Sequence, residues 1–218
     1  MFHDREEAGR ALAERLGAMK PQRPVVLALP RGGVPVALPV ARALRAPLDL
    51  LMVRKLGLPG QPELAAGAVV DGETHEVVFN PHVLRASGLS EADFAAVIDA
   101  RLKEIEERRE RYLGGRAPVP VAGRTAIVVD DGIATGATVK AALRGLRARA
   151  PAAIVLAVPV APRDVVPELE PLVDELICLE TPDPFYAVGM HYRNFGQVSD
   201  AEVVAGLQEA ENGTEKNG

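Results

Sequence analysis

The side chains best suited to chemistry stand together in one run, Ala126-Ile127-Val128-Val129-Asp130-Asp131-Gly132-Ile133-Ala134-Thr135-Gly136-Ala137-Thr138. An apolar strand pattern ends in two acids, and a loop of small and hydroxylated residues then leads into a segment where Val139, Leu143 and Leu146 recur at helical spacing. Backbone N–H groups at a helix N-terminus, joined by the Thr135 and Thr138 hydroxyls, suit one phosphate. Gly136 lets the backbone approach it closely. Asp130 and Asp131 would repel that phosphate if they faced it, so they are read as acceptors for neutral hydroxyls such as those of a ribose. The implied ligand fragment is a sugar diol with a terminal phosphate. A surface turn with capping threonines is the plain alternative, but it explains neither the apolar strand before the run nor the amphipathic helix after it. No Gly-x-x-x-x-Gly-Lys run occurs, which excludes a Walker-type loop.

Two other strand ends carry unusual residues. Val25-Val26-Leu27-Ala28-Leu29, continuously apolar like a strand buried on both faces, opens into Arg31-Gly32-Gly33 before a helix predicted over 34–45. The next strand, 48–53, ends in Arg54-Lys55. Either feature alone is common in a structural role. Together with the acid run they offer a diol-and-phosphate site, an anion loop and a basic pair.

The 126–138 run resembles the phosphoribosyl pyrophosphate motif of the type I phosphoribosyltransferases, a hydrophobic strand and two acids followed by small residues ending in Thr-Gly-x-Thr. Leu29-Pro30-Arg31-Gly32-Gly33 is similar to the family's pyrophosphate loop, in which an often cis non-proline peptide presents N–H groups to the anion. Val53-Arg54-Lys55 is similar to the basic pair that precedes its flexible catalytic loop. The resemblance implies a phosphoribosyltransferase of nucleotide metabolism, in which a nitrogen nucleophile displaces pyrophosphate from ribose C1. It assigns Asp130 and Asp131 to the ribose, Ala134 to Thr138 to the 5′-phosphate, and Arg31, Gly32, Gly33, Arg54 and Lys55 to the pyrophosphate. It also implies Mg²⁺ held mainly by substrate oxygens, with no protein metal cluster, and a homodimer. A cation-like sugar must be shielded from water, and the Gly/Pro-rich stretch 56–63 is the expected mobile lid, with Glu63 at its far end.

The acceptor is read as a nucleobase. Ala134 stands where the family's 6-oxopurine enzymes carry an acid, which argues against hypoxanthine or guanine. The expected acceptor hood is 180–198, joined by the helix predicted over 5–19, and it holds Phe185, Tyr186, Tyr192 and Phe195. Phe185 and Tyr186 are the candidates for stacking on a planar base, against the plainer reading that they pack the hood. A non-catalytic sensor of phosphoribosyl pyrophosphate is the alternative from another class.

The rest of the chain must position these groups. Strand runs at 125–129, 153–158 and 174–179 alternate with helices near 137–149 and 164–171, which argues an α/β fold with a mostly parallel sheet covered on both faces. Ligands of such sheets bind beyond the carboxyl ends of the strands. The 218 residues are read as one domain over 1–211, with its core at about 20–70 and 121–179 and a tail at 212–218 expected to be disordered. An insertion at about 71–120 holds a hairpin and a long helix capped by Ser90, whose charge run Lys103 to Arg111 is read as a solvated face.

A formal charge of −5 offers no basic surface for nucleic acid. No apolar run reaches the roughly 18 residues of a membrane span, and the first residues lack signal-peptide order, so a cytoplasmic protein is expected. Cys178, the single cysteine, lies in an apolar run and is read as a small hydrophobe. His3, His75, His82 and His191 show no metal-ligand spacing.

Overall fold

The computed structural model describes residues 1–215. Its central sheet has five strands, β1 (Pro24–Ala28), β2 (Leu48–Leu50), β6 (Thr125–Val129), β7 (Ala153–Val160) and β8 (Glu175–Glu180), in the order β2-β1-β6-β7-β8. Every pair in it is parallel. The strands are apolar on both sides because both sides are covered. Val26, Ala28, Ile127, Val129, Val155 and Ala157 join one core, with residues from α1 (Arg5–Met19), α2 (Gly33–Leu44), α4 (Ala95–Leu113) and α7 (Asp200–Glu215). Val25, Leu27, Ala126, Val128, Ile154 and Leu156 point the other way, into a second core beneath α5 (Ala137–Arg147) and α6 (Val166–Leu169). Alternate residues of each strand thus serve opposite cores, as the two-residue repeat of a strand dictates.

An antiparallel arm leaves the edge of this sheet, built from β3 (Val53–Leu58), β4 (Gln61–Val70) and β5 (Glu76–Phe79). It corrects one expectation, because residues 56–63 are an ordered hairpin rather than an irregular loop. The breakers fall where a hairpin tolerates them. Pro59-Gly60 makes the turn, and the register shifts beside Gly57. The Glu63 side chain lies outside the described residues.

After the arm, α3 (Pro81–Ser87) precedes a 3-10 turn at Glu91–Phe94, where Ser90 and Asp93 form a capping box, and α4 follows. The α4 charge run is not uniformly solvated. Arg109 is turned inward, its side chain 14% exposed, and pairs with Asp71 at 2.8 Å and Asp49 at 3.1 Å. Both acids are buried, and an isolated charge at that depth is so costly that each needs a cation beside it.

The expected tail is corrected as well. Residues 212–215 continue α7, and 216–218 lie outside the described residues. Ser199 and Glu202 exchange hydrogen bonds at the start of this helix, and its buried Val203, Leu207 and Ala210 pack it on the core. That Ser-x-x-Glu capping signal stands in the sequence. Among the described residues, no helix is long and apolar enough to cross a membrane.

Candidate functional site

The parallel pairing of β1 with β6 puts two of the singled-out segments side by side at the carboxyl edge of the sheet. Ala28 is in register with Val129, and the Leu29 amide donates to the Val129 carbonyl at 2.9 Å. The next residues on either side are the Pro30-Arg31-Gly32-Gly33 loop and the Asp130-Asp131 pair. The loops touch closely enough to require glycine, since a Cβ on Gly32 would lie 2.5 Å from the Asp131 carboxyl carbon. The Pro30–Arg31 peptide is cis, the feature the resemblance implies for a pyrophosphate loop.

Downstream of the acids, Gly136 is the N-cap of α5 in left-handed conformation, and no side chain caps the helix. The amides of the first turn of α5 therefore have no side-chain acceptor, and Thr135 and Thr138 are exposed beside them. Ala134 and Thr135 border a cleft of about 850 Å³ whose other walls include Arg163, Asp164, Phe185 and Tyr186. Part of the loop read as a phosphate cradle and both candidate stacking residues thus border one cavity. Tyr186 is 74% exposed, whereas Phe185 stacks on His191 with ring centroids 5.4 Å apart.

A second cleft, of about 530 Å³, is bordered by Arg31, Gly32, Asp131 and, unexpectedly, Arg5. Arg54 and Lys55 line neither cleft. They sit on the antiparallel arm, where Arg54 faces Glu104 of α4 at 3.3 Å and Lys55 is exposed. Arg31 makes no side-chain hydrogen bond among the described residues and is oriented by an ion pair with Asp200 at 3.5 Å. Its donors remain available to an anion.

The two acids are strongly perturbed. Burial, reinforced by the Asp131 charge, pushes the Asp130 carboxyl well above the carboxylate range. Burial raises Asp131 too, against the opposing hydrogen bond from Arg5. That bond, from Arg5 Nε to Asp131 Oδ2, measures 2.8 Å, and the Tyr192 hydroxyl donates to the Asp131 carbonyl at 2.6 Å. Neither partner was legible in the sequence as part of the site. Arg5 lies 126 positions from Asp131, and Tyr192 reads there only as one aromatic among several.

The Asp130 carboxylate accepts a single hydrogen bond among the described residues, from the Asp131 amide at 2.8 Å, so one of its oxygens stays unengaged. The described residues hold no cluster of three or more His, Cys, Asp or Glu able to hold a metal ion. A single free carboxylate oxygen fits an ion that takes most of its ligands from substrate and water, as Mg²⁺ does. Cys178 is half-buried, and burial pushes its thiol up to about 11, away from nucleophilic chemistry.

Five parallel strands with helices on both faces, and a small antiparallel arm beside them, define an α/β fold of the phosphoribosyltransferase type. A phosphoribosyl transferase domain model matches residues 3–193, and the chain belongs to that family, the type I phosphoribosyltransferases. Proteins of two Mycobacterium tuberculosis strains, CDC 1551 / Oshkosh and H37Rv, provisionally named phosphoribosyl transferases, are each 52% identical to it over 210 residues. These matches cover 96% of this chain and 47% of each relative, so the chain spans about half the length of those curated relatives. Among solved structures, the TT1426 protein of Thermus thermophilus is similar at 43% identity with a TM-score of 0.83, covering 96% of this chain and 98% of that one.

Proposed function

We propose that the protein transfers the phosphoribosyl group of phosphoribosyl pyrophosphate to a nitrogenous acceptor and releases pyrophosphate. The observation that carries this reading is the juxtaposition at Gly32 and Asp131. An anion loop and a diol-binding acid pair meet at one edge of the sheet, as a sugar bearing pyrophosphate at C1 demands.

In this reading the first-turn amides of α5, with Thr135 and Thr138, donate to the 5′-phosphate. Asp130 and Asp131 accept from the ribose hydroxyls, and Arg31 and the backbone of Gly32 and Gly33 face the leaving pyrophosphate. Arg54 and Lys55 of β3, which border neither cleft, carry no part of this reading. When bound, Mg²⁺ would be held mainly by substrate oxygens and would supply charge neutralisation on the pyrophosphate. The protein's contribution is positioning and preorganised charge around a sugar that becomes cationic as its bond to pyrophosphate breaks. The acceptor is a planar base in the cleft beside Phe185 and Tyr186, with Arg163 and Asp164 offering a donor and an acceptor at its rim.

The test is pyrophosphate release from labelled phosphoribosyl pyrophosphate with Mg²⁺ and a panel of nucleobases. Release with at least one base, abolished in Asp130→Asn/Asp131→Asn, supports the transferase. Tight binding without release for any acceptor points to the non-catalytic sensor.

A further inference from the structure

We infer that Arg5 is a positioning residue for Asp131, locking the carboxylate into the orientation that receives the ribose and tying the hood to it; the inference rests on the ribose-binding reading of the acids.

Arg5 is the first residue of α1, held at the helix start by the Asp4 cap. Its guanidinium makes three contacts at once. Nε donates to Asp131 Oδ2 at 2.8 Å, Nη1 donates to the Gly196 carbonyl at 2.8 Å, and the guanidinium carbon lies 3.9 Å from the centre of the Phe195 ring. Phe195 stacks on Tyr192 with centroids 4.9 Å apart, and the Tyr192 hydroxyl returns to the backbone of Asp131. Asp131 is therefore gripped by its carboxylate from α1 and by its carbonyl from the hood, through side chains that touch one another.

The grip is built, not incidental. The Arg5 and Asp131 side chains are 12% and 15% exposed, so the pair is shielded from the solvent that weakens surface ion pairs. The segment carrying Arg5 is stitched to the hood by main-chain hydrogen bonds: Phe2 N to His191 O at 2.8 Å, Arg193 N to Phe2 O at 2.9 Å and Asn194 N to His3 O at 2.9 Å. Arg5 thus has little freedom to leave.

The physical need follows from the neighbouring acid. Two adjacent part-buried carboxylates repel, and a free Asp131 would turn away from Asp130 or take up a proton. Fixing Oδ2 on Arg5 leaves Oδ1, which accepts no hydrogen bond among the described residues, as the oxygen offered to a ribose hydroxyl. Arg5 also borders the cleft of Arg31 and Gly32, so the competing role is direct contact with pyrophosphate. The two roles act on different halves of the substrate.

The experiment separates them by calorimetric titration of the full chain with two fragments, each with Mg²⁺: ribose 5-phosphate, which has the diol, and inorganic pyrophosphate, which lacks it. Arg5→Ala should weaken ribose 5-phosphate by about tenfold, as loss of an oriented charged acceptor implies. Pyrophosphate binding should be unchanged, and Asp131→Asn should show the same selectivity. Arg5→Lys, which keeps the charge but not the fork, should show a smaller loss of the same kind, and it carries the test if the alanine variant does not fold. Equal or greater weakening of pyrophosphate overturns the inference in favour of direct contact. No change in either fragment overturns it outright. A wild-type chain that binds neither ribose 5-phosphate nor phosphoribosyl pyrophosphate instead sinks the reading of the site itself.

Discussion

The Tyr112 hydroxyl donates a 2.7 Å hydrogen bond to the Asp200 carboxylate, joining the end of α4 to the first residue of α7. The same carboxylate meets Arg111 at 3.2 Å and Arg31 at 3.5 Å. The end of α4 is thereby connected to the Pro30–Gly33 loop through one shared acid. Two further residues of α4 act in the same region, Glu104 on Arg54 and Arg109 on Asp49 and Asp71. Through these pairs α4 contacts Asp200, which pairs with Arg31, as well as Arg54, Asp49 and Asp71.

Tyr112→Phe keeps the buried ring and removes only the hydroxyl. Its hydrogen bond is the largest influence lowering the Asp200 pKa, so the variant should return that carboxyl toward its ordinary value in an NMR titration. A depressed folded-state pKa adds stability above the unfolded value and loses it as pH falls. The cost of the variant, a drop of about 2–4 °C in thermal midpoint, should therefore be greatest near neutrality and shrink in acid.

Arg109→Met removes the cation between two buried acids. Breaking a buried pair while leaving its partner charged costs about 3–5 kcal/mol, to be read from urea unfolding at neutral pH. Burial already raises Asp71, with Arg109 opposing. Without Arg109 its pKa should climb further, and the variant should recover relative stability as the pH is lowered and Asp71 takes up a proton. A cost independent of pH would contradict this.

Asp130→Asn should raise stability at neutral pH while abolishing phosphoribosyl pyrophosphate binding. The folded-state pKa of Asp130 is raised above the unfolded value, so at any pH between the two the folded chain holds a proton that the unfolded chain has lost, and above both its buried charge is a cost. Wild-type stability from this group falls as pH rises from the ordinary carboxylate value through the raised one. Thermal scans should show the gain of the variant growing over that interval and vanishing below it.

Gly32→Ala adds a single methyl group against the Asp131 carboxyl. Anion loop and acid cannot both keep their places, so calorimetry should show phosphoribosyl pyrophosphate binding weakened by more than about tenfold. The thermal midpoint should fall as well, because the displaced carboxylate is drawn off the shielded Arg5 pair.

Much of this molecule is written in local pattern. The strand runs at 25–29 and 125–129 are apolar throughout because helices cover both faces, and that signature is readable without neighbours. The same holds for the Asp4 and Ser90 helix starts and for the small-residue loop before α5, whose amides follow from the helix beginning there. The hairpin at 53–70 was not legible in the same way, because its Pro and Gly signal a break without showing that the flanking residues pair across it. The C-terminal helix went unread, although the Ser199–Glu202 pair offers a capping signal, because the polar residues at its far end read as a tail.

What the sequence by itself determined is therefore the fold class and the two strand ends, after β1 and β6, where the candidate loops meet, since these rest on periodicity and on contiguous motifs, whereas Arg54 and Lys55 fall inside β3 rather than at the end of a core strand. Only the tertiary structure decided which charges meet: Arg5 with Asp131, Arg109 with Asp49 and Asp71, and Asp200 with both Tyr112 and Arg31. The reason is physical. A charged side chain looks the same in sequence whether water or a distant acid neutralises it, and burial, which makes the difference decisive, is a property of the packed chain alone.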